Sequence, residues 1–312
     1  MANTQVSASA ADVSPTRSRK EKPRRQNLAG WMFVGPVIFG VLAFQIVPVI
    51  ASLGVSMTNW TGLNEPDFLG LGNFVALFTT DTRFYSTLLN TAIFTVAMVV
   101  LSIAIGLALA VLCNQRIRGV GVFRTLYYSP AITNVVAIGF VWFWLYEPNN
   151  GLINSVLRGV GITGPAWLSD PSTALIAVII VALWQGVGYP MVILLAGLQS
   201  IDKSLLEAAT VDGASNWRRF WRVTFPLLTP SIFFLTIMQF ISSFQVFGII
   251  YVMTSGGPNN ATSVLIFEIY QVAFAQGRLG YASAMGWVLF LIVGLVTVFQ
   301  WKMEKRWVHY DN

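Results

Sequence analysis

The stretch SLLEAATVDGASNWRRFWRVTFPLLTP, Ser204 to Pro230, carries Glu207, Asp212, Arg218, Arg219 and Arg222. The chain around it is nearly free of charge: no Asp, Glu, Lys or Arg occurs from Pro171 to Ile201 or from Val223 to Phe267. Each charge at the centre of a bilayer costs about 2.5–3.5 kcal/mol even on the lenient insertion scale, so this segment cannot lie in lipid. Its local signals predict two short helices. Ser204 and Glu207 have the S-x-x-E spacing of a capping box. Gly213 is a natural helix stop. Ser215 or Asn216 can cap a second helix bearing Trp217, Phe220 and Trp221, and Pro226 and Pro230 mark the start of the next apolar run.

Four more charge-free runs lie outward from this stretch, Gln26–Asn64, Phe84–Gln115, Thr125–Tyr146 and Leu279–Trp301. The whole chain has 312 residues, 55% hydrophobic and only 10% charged. A soluble globular protein is roughly 25% charged. All six runs satisfy the roughly 20 apolar residues that a membrane-crossing helix needs. They are too long and continuous for barrel strands, which alternate over roughly 10 residues. Because lipid leaves backbone groups no outside partner, the pattern predicts an all-α membrane protein with six transmembrane helices. Their predicted positions are residues 31–56, 87–113, 125–146, 173–197, 231–253 and 280–301. Gly256, Gly257 and Pro258 bound the fifth.

Sixteen of the 19 Lys and Arg residues fall on one side of such a bundle. They cluster before Gln26, at Arg116, Arg118 and Arg124, between Lys203 and Arg222, and at Lys302, Lys305 and Arg306. This positive-inside asymmetry predicts that both termini are cytoplasmic. The same distribution explains the net charge of +6 without a nucleic-acid partner. Residues 1–27 are polar and basic, without the apolar core of a signal peptide, and are expected to be a disordered cytoplasmic tail. Residues 28–302 then form the membrane domain, with the charged loop at 200–230, and 303–312 a cytoplasmic tail.

Several chemistries are excluded. No G-x-x-x-x-G-K-[ST] loop is present, so the chain does not bind ATP in that way. The sole His, His309, lies near the C-terminus, which rules out an H-E-x-x-H zinc site or a membrane-buried Ser-His pair and so speaks against an intramembrane enzyme. The single Cys113 cannot form an internal disulfide. No predicted span holds an Asp or Glu, and the halves show no evident repeat, which weakens the reading as a stand-alone secondary transporter.

The spans do hold uncharged polar groups. The fourth contains WQGVGYPMVILLAGLQ, Trp184 to Gln199, with Gly186, Gly188 and Pro190. The fifth contains Gln239, Ser242, Ser243 and Gln245, and Gln239, Ser243 and Val246 share a helix face. Such residues serve helix–helix packing or line a polar, uncharged path. In the second case Tyr189, Trp184 and Phe244 supply flat apolar faces, a chemistry suited to a neutral polyhydroxyl compound.

Glu207-Ala208-Ala209, three residues, Gly213, nine residues, then Val223-x-Phe225-Pro226 resembles the EAA loop of permease subunits of binding-protein-dependent ABC importers. Val223 and Phe225 stand where that pattern has Ile and Leu. The stretches FLGLGNF (Phe68–Phe74), FRTLYYSP (Phe123–Pro130), SFQVFGIIYVMTSGGPNNAT (Ser243–Thr262) and RWVHY (Arg306–Tyr310) look like the carbohydrate-uptake branch, MalF/UgpA/LacF-type. The resemblance implies a type I ABC importer permease with a cytoplasmic coupling helix, whose ATPase-coupling residues are Glu207, Ala208, Ala209, Asp212, Gly213 and Pro226. It implies a second, different permease subunit, two cytoplasmic ATPase subunits holding ATP and Mg²⁺, and an extracytoplasmic solute-binding protein that delivers sugar. It places the chain in a bacterial or archaeal inner membrane, without a cofactor or catalytic activity of its own. Alignment on the GYP and TxGGP motifs puts sugar contacts at Gly188, Met191, Gln239, Ser243 and Val246, and Tyr189 is added for its chemistry. A permease for another solute such as glycerol phosphate is the alternative.

Overall fold

The computed structural model describes the backbone of residues 23–63, 65–115 and 118–307. The expected tail up to Lys22, Arg116 and most of the RWVHY stretch lie outside these residues. In chain order the helices are α1 (Pro23–Val41), α2 (Val47–Ser56), α3 (Gly72–Thr79), α4 (Thr82–Cys113), α5 (Val120–Ile132) and α6 (Val135–Leu145). They continue as α7 (Leu152–Gly159), α8 (Pro171–Gly186), α9 (Gly188–Ser200), α10 (Lys203–Val211), α11 (Asn216–Arg219) and α12 (Phe225–Leu227). The last four are α13 (Thr229–Phe244), α14 (Gly248–Met253), α15 (Leu265–Tyr270) and α16 (Leu279–Trp307). No β-strand occurs among the described residues; Thr58 and Phe68 form an isolated bridge. The described residues divide into two compact units, one up to Ala51 and the other from Ser52.

Three helices are long and apolar enough to cross a membrane unbroken: Trp31–Ser56, Thr82–Cys113 and Leu279–Glu304. Three bent pairs have the same capacity, giving six spans if each pair counts as one. The α5–α6 pair bends by 98°, α8–α9 by 43°, and Asn216–Leu227 with α13 by 62°. Local chemistry explains each break. Thr133 is extended and Asn134 caps α6 by accepting from the Val136 N–H. The α8–α9 bend falls at Gly186-Val187-Gly188, and the last at Leu228, between Pro226 and Pro230.

Two expected spans change. The third run is not a straight span over 125–146, because the Asn134 cap starts a new helix. The fifth ends at Phe244 rather than near 253, and α14 turns away to bury Ile249, Ile250 and Met253. At the ends of the described residues helix begins at Pro23 and runs to Trp307. Proline suits a first helical turn, and Lys302-Met303-Glu304-Lys305-Arg306 is a run of good helix formers.

Within the second unit α4 contributes to every core cluster. Its Phe84 joins Leu77, Leu265 and Met285; its Phe94 and Met98 join Ile138, Val178 and Ile250; its Ala110 and Cys113 join Met191, Leu194 and Leu235. The buried face is built largely from small or hydroxyl residues, Thr87, Thr91, Ser102, Gly106 and Ala110, repeating at helical spacing. Small residues let membrane helices approach closely, where dispersion replaces the missing hydrophobic drive. On α4 such an approach is made at Gly106, where a Cβ would lie 2.8 Å from Pro190 Cβ and 3.1 Å from the Met191 amide nitrogen.

At its N-terminal end α4 is tied by polar bonds. Asp81 caps it, accepting from the Phe84 N–H at 3.0 Å, and also accepts from the Tyr281 hydroxyl at 2.7 Å. Thr91 Oγ1 accepts from the Leu265 N–H, and Asn90 Nδ2 donates to the carbonyls of Asn260 and Ser263. These bonds hold the TSGGPNNAT turn, whose Ser255, Gly256, Asn259 and Asn260 have positive φ. Beside it Glu268, almost fully buried, meets Arg83 at 2.9 Å.

Gly106→Val is expected to lower stability by about 1–3 kcal/mol, because the added atoms collide with backbone that cannot rotate away. Gly286→Ala, where a Cβ meets nothing within 4 Å, is the matched control. Thermal unfolding in detergent should show a lower midpoint for the first and no loss for the second.

Candidate functional site

The breaks in the α5–α6 and α8–α9 pairs, and the end of α13, converge on one cavity of about 640 Å³. Phe94 and Met98 of α4 form one wall, and Tyr128 and Ala131 of α5 another. Gln185 and Tyr189 flank the α8–α9 bend, while Gln239, Ser242, Ser243 and Val246 come from α13 and the turn beyond it. Among the described residues no charged side chain lines it. The polar groups do structural duty as well. Gln185 Nε2 donates to the Thr133 carbonyl at 3.3 Å, an acceptor freed by the α5–α6 break. Gln239 Nε2 donates to Ser102 Oγ at 2.7 Å. Its Oε1 has no partner among the described residues and is free to accept from a solute hydroxyl.

Four of the six expected pathway residues, Tyr189, Gln239, Ser243 and Val246, meet here. Gly188 and Met191 do not line the cavity. Two positions on from Tyr189 is about 200° around the helix, so Met191 points away and is fully buried in the core. Gly188 is a packing position: a Cβ there would lie 2.5 Å from the Tyr127 carbonyl oxygen. Trp184 packs edge-on against Trp142, and Phe244 is buried in the core rather than facing the cavity. Sequence reasoning missed Phe94, Met98 and Tyr128, because nothing in one sequence brings α4 and α5 next to α13.

The charged loop forms the second site. Asp202, not Ser204, caps α10, accepting from the Ser204 N–H at 2.9 Å. The Ser204 N–H and hydroxyl hold the Asp202 carboxyl below the usual aspartate range, so the cap stays charged at neutral pH. The capping box is therefore absent: a helix starting at Lys203 puts Glu207 in its second turn, too far to reach back. Glu207, Ala208 and Asp212 are exposed, and no residue of α10 is buried. Gly213 ends the helix at φ +76°, with its N–H bonded to Thr210 O and that of Ala214 to Ala209 O. This pair of bonds is a Schellman cap, which needs the left-handed residue. Ser215 caps α11 by accepting from the Arg218 N–H, and Arg219 Nη1 donates to Thr210 Oγ1 at 2.8 Å, locking the corner. Pro226, half-buried, sits where helix Asn216–Leu227 approaches its bend.

An apolar helical bundle whose spans break around an uncharged cavity, with an exposed two-helix corner on one loop, defines a membrane component of a transport system. The chain belongs to the family described as binding-protein-dependent transport system inner membrane component, whose model matches residues 120–308. It is similar to the probable ABC transporter permease protein YesP of Bacillus subtilis (strain 168), 40% identical over 93% of this chain and 94% of that one. It is also similar to the lactose transport system permease protein LacF of Rhizobium radiobacter, 36% identical over 93% of this chain and 99% of the relative. The fold matches a chain in the crystal structure of a bacterial alginate ABC transporter in complex with alginate pentasaccharide-bound periplasmic protein. There the TM-score is 0.81 at 22% identity, covering 90% of this chain and 96% of that one.

Two variants separate solute contact from helix packing at Gln239. Gln239→Leu is expected to cut uptake about tenfold or more while the protein remains assembled, since it removes both the bond to Ser102 and the free oxygen. Ser102→Ala removes only the interhelical bond and should transport nearly normally. Equal losses in the two uptake assays would assign Gln239 to packing.

Proposed function

We propose that this chain is one of two different permease subunits that together form the pathway of an ATP-driven sugar importer. The observation that carries the sugar reading is the cavity lining: amides, hydroxyls and aromatic faces, with no charge. Binding sites match solutes by a few placed polar groups on an apolar wall, and this set suits a neutral polyhydroxyl compound. The permease relative named for lactose supports the same reading. A phosphate-bearing solute such as glycerol phosphate requires a cation; among the described residues of this chain none lines the cavity, so in that alternative the second permease subunit supplies it.

In this reading a solute-binding protein delivers the sugar from outside, and both termini lie in the cytoplasm. Two cytoplasmic ATPase subunits bind ATP and Mg²⁺, and one of them docks on α10. Two features support that docking. The helix presents Glu207 and Ala208 with Leu205 and Val211, both well exposed, a mixed apolar and charged face that belongs against a partner. Gly213 closes the helix with an open surface around it, since a Cβ there meets nothing within 4 Å. The chain itself has no catalytic role.

Gly213→Asp strains the left-handed corner and adds charge beside the docking face. It is expected to leave insertion and pairing with the second permease intact, and to lose ATPase co-purification or uncouple hydrolysis from uptake. Glu207→Gln leaves α10 intact because Asp202 is the cap, so reduced uptake in that variant reports a contact with the ATPase. Retained ATPase together with wild-type uptake in Gly213→Asp overturns the docking assignment. Reporter fusions after Asn216 should read cytoplasm, and those after Asn73 and Asn260 outside. A cytoplasmic signal at Asn260 overturns the orientation.

A further inference from the structure

A smaller cavity, of about 210 Å³, lies among α4, α13 and α16. It is distinct from the solute cavity. On α4, Phe94 and Met98 line the solute cavity, and Thr95 and Val99, one position on, line this one. On α13, Gln239 and Ser243 line the first, and Phe240 and Phe244 the second. One position is about 100° around a helix, so the two cavities flank the contact between α4 and α13. Alanine, valine and phenylalanine make up most of the small cavity's wall. Among the described residues its polar members are Thr95 and Gln300.

Each of those two leaves a polar atom unpaired. Thr95 is 2% exposed and Gln300 is half-buried. Thr95 Oγ1 and Gln300 Oε1 are both buried, with no hydrogen-bond partner among the described residues. A threonine inside a helix can discharge its hydroxyl on the carbonyl four residues back. Thr91, Thr236 and Thr297 do so, at 2.7, 2.8 and 2.8 Å. Thr95 makes no such bond. Leaving a buried polar atom without a partner is costly, so both atoms call for one. The Thr95 hydroxyl has a proton to give, and the Gln300 carbonyl oxygen can only accept. A hydroxyl-type ligand answers both, and water is the smallest. Its share of liquid volume is about 30 Å³, so the two anchors limit occupancy before space does. An acyl chain or an apolar helix fills the volume but satisfies neither atom.

We propose that this cavity holds ordered water, accepting from the Thr95 hydroxyl and donating to Gln300 Oε1, and so joining α4 to α16 by a bridge of hydrogen bonds. Phe240 and Phe244, whose rings pack at 5.3 Å, border the bridge, so the water lies directly behind the helix that carries Gln239. The proposal rests on this geometry and not on the identity of the solute.

The test uses the full chain in lipid nanodiscs and X-ray footprinting, in which radicals formed from water oxidise the side chains beside it. In wild type, Phe240 and Phe244 should be oxidised at least about fivefold faster than Phe84, a buried phenylalanine that does not line the cavity. Thr95→Val and Gln300→Leu should each bring the rate close to that of Phe84. Thr95→Ser keeps the hydroxyl and should preserve the wild-type rate. Thermal midpoints give a second reading, because the sign differs between a wet and a dry cavity. In a dry cavity Thr95→Val removes an unsatisfied hydroxyl and raises the midpoint; with water bound it strips the water of a partner and lowers it. The double variant should lose less than the two single losses added together, because both bonds run through the same water. Oxidation of Phe240 and Phe244 no faster than Phe84 in wild type overturns the proposal. So does oxidation that survives both variants, or a raised midpoint in Thr95→Val. Neither readout measures transport, so failure of the sugar reading shows separately, as absence of sugar uptake by the wild type.

Discussion

A backbone amide or carbonyl in hydrocarbon has no water to turn to, so a span can break only where something else supplies the missing bond. That constraint organises this molecule. The α5–α6 break frees the Thr133 carbonyl, and the Gln185 amide meets it; Asn134 closes the start of α6 with its own side chain. These repairs bring Gln185, Ser242 and Gln239 into one space, and the cavity occupies the place where they meet. The polarity that lines the cavity is the same polarity that makes broken helices tolerable.

The second constraint is closeness. Lipid gives two apolar helices little reason to associate, so contact must come from fit. On the face of α4, Thr87, Thr91, Ser102, Gly106 and Ala110 are small, and the hydroxyls of Thr87, Thr91 and Ser102 bond to nearby backbone or to Gln239. One helix can therefore touch all three core clusters. A larger residue at Gly106 pushes against the backbone of α9, which also carries Tyr189, so packing and site geometry are not separable there.

Much of this was legible in the sequence for physical reasons. Charge exclusion from lipid marks the apolar runs, positive φ selects Gly213, and the EAA-like spacing points to the loop. The loop's start was misread because S-x-x-E spacing is a weak signal beside an aspartate two residues upstream. Asp202 takes the cap, and Glu207 is released to the surface. Hydropathy also cannot see a bend: Thr133-Asn134 and Gln245-Val246-Phe247 sit in uncharged runs, yet end helices by capping and turn geometry. Met191 was placed in the pathway by motif alignment alone, and helix phase puts it on the opposite side. Glu268 gave no sign of burial in the sequence, because its partner Arg83 lies far away along the chain and meets it only in the fold.

The corner between α10 and α11 is bonded to itself by the Schellman cap and by Arg219–Thr210, so it moves as one piece. Its stem joins α13 through the bend at Leu228. At the rise of an α-helix, Gln239 stands about 16 Å beyond that bend, so tilting α13 by about 5° carries its side chain about 1.4 Å sideways. A displacement of that size away from α4 stretches the 2.7 Å contact with Ser102 beyond bonding range. Loop and cavity therefore meet at the two ends of one stretch hinged at Leu228, and a small change of angle there is enough to break the Gln239–Ser102 bond.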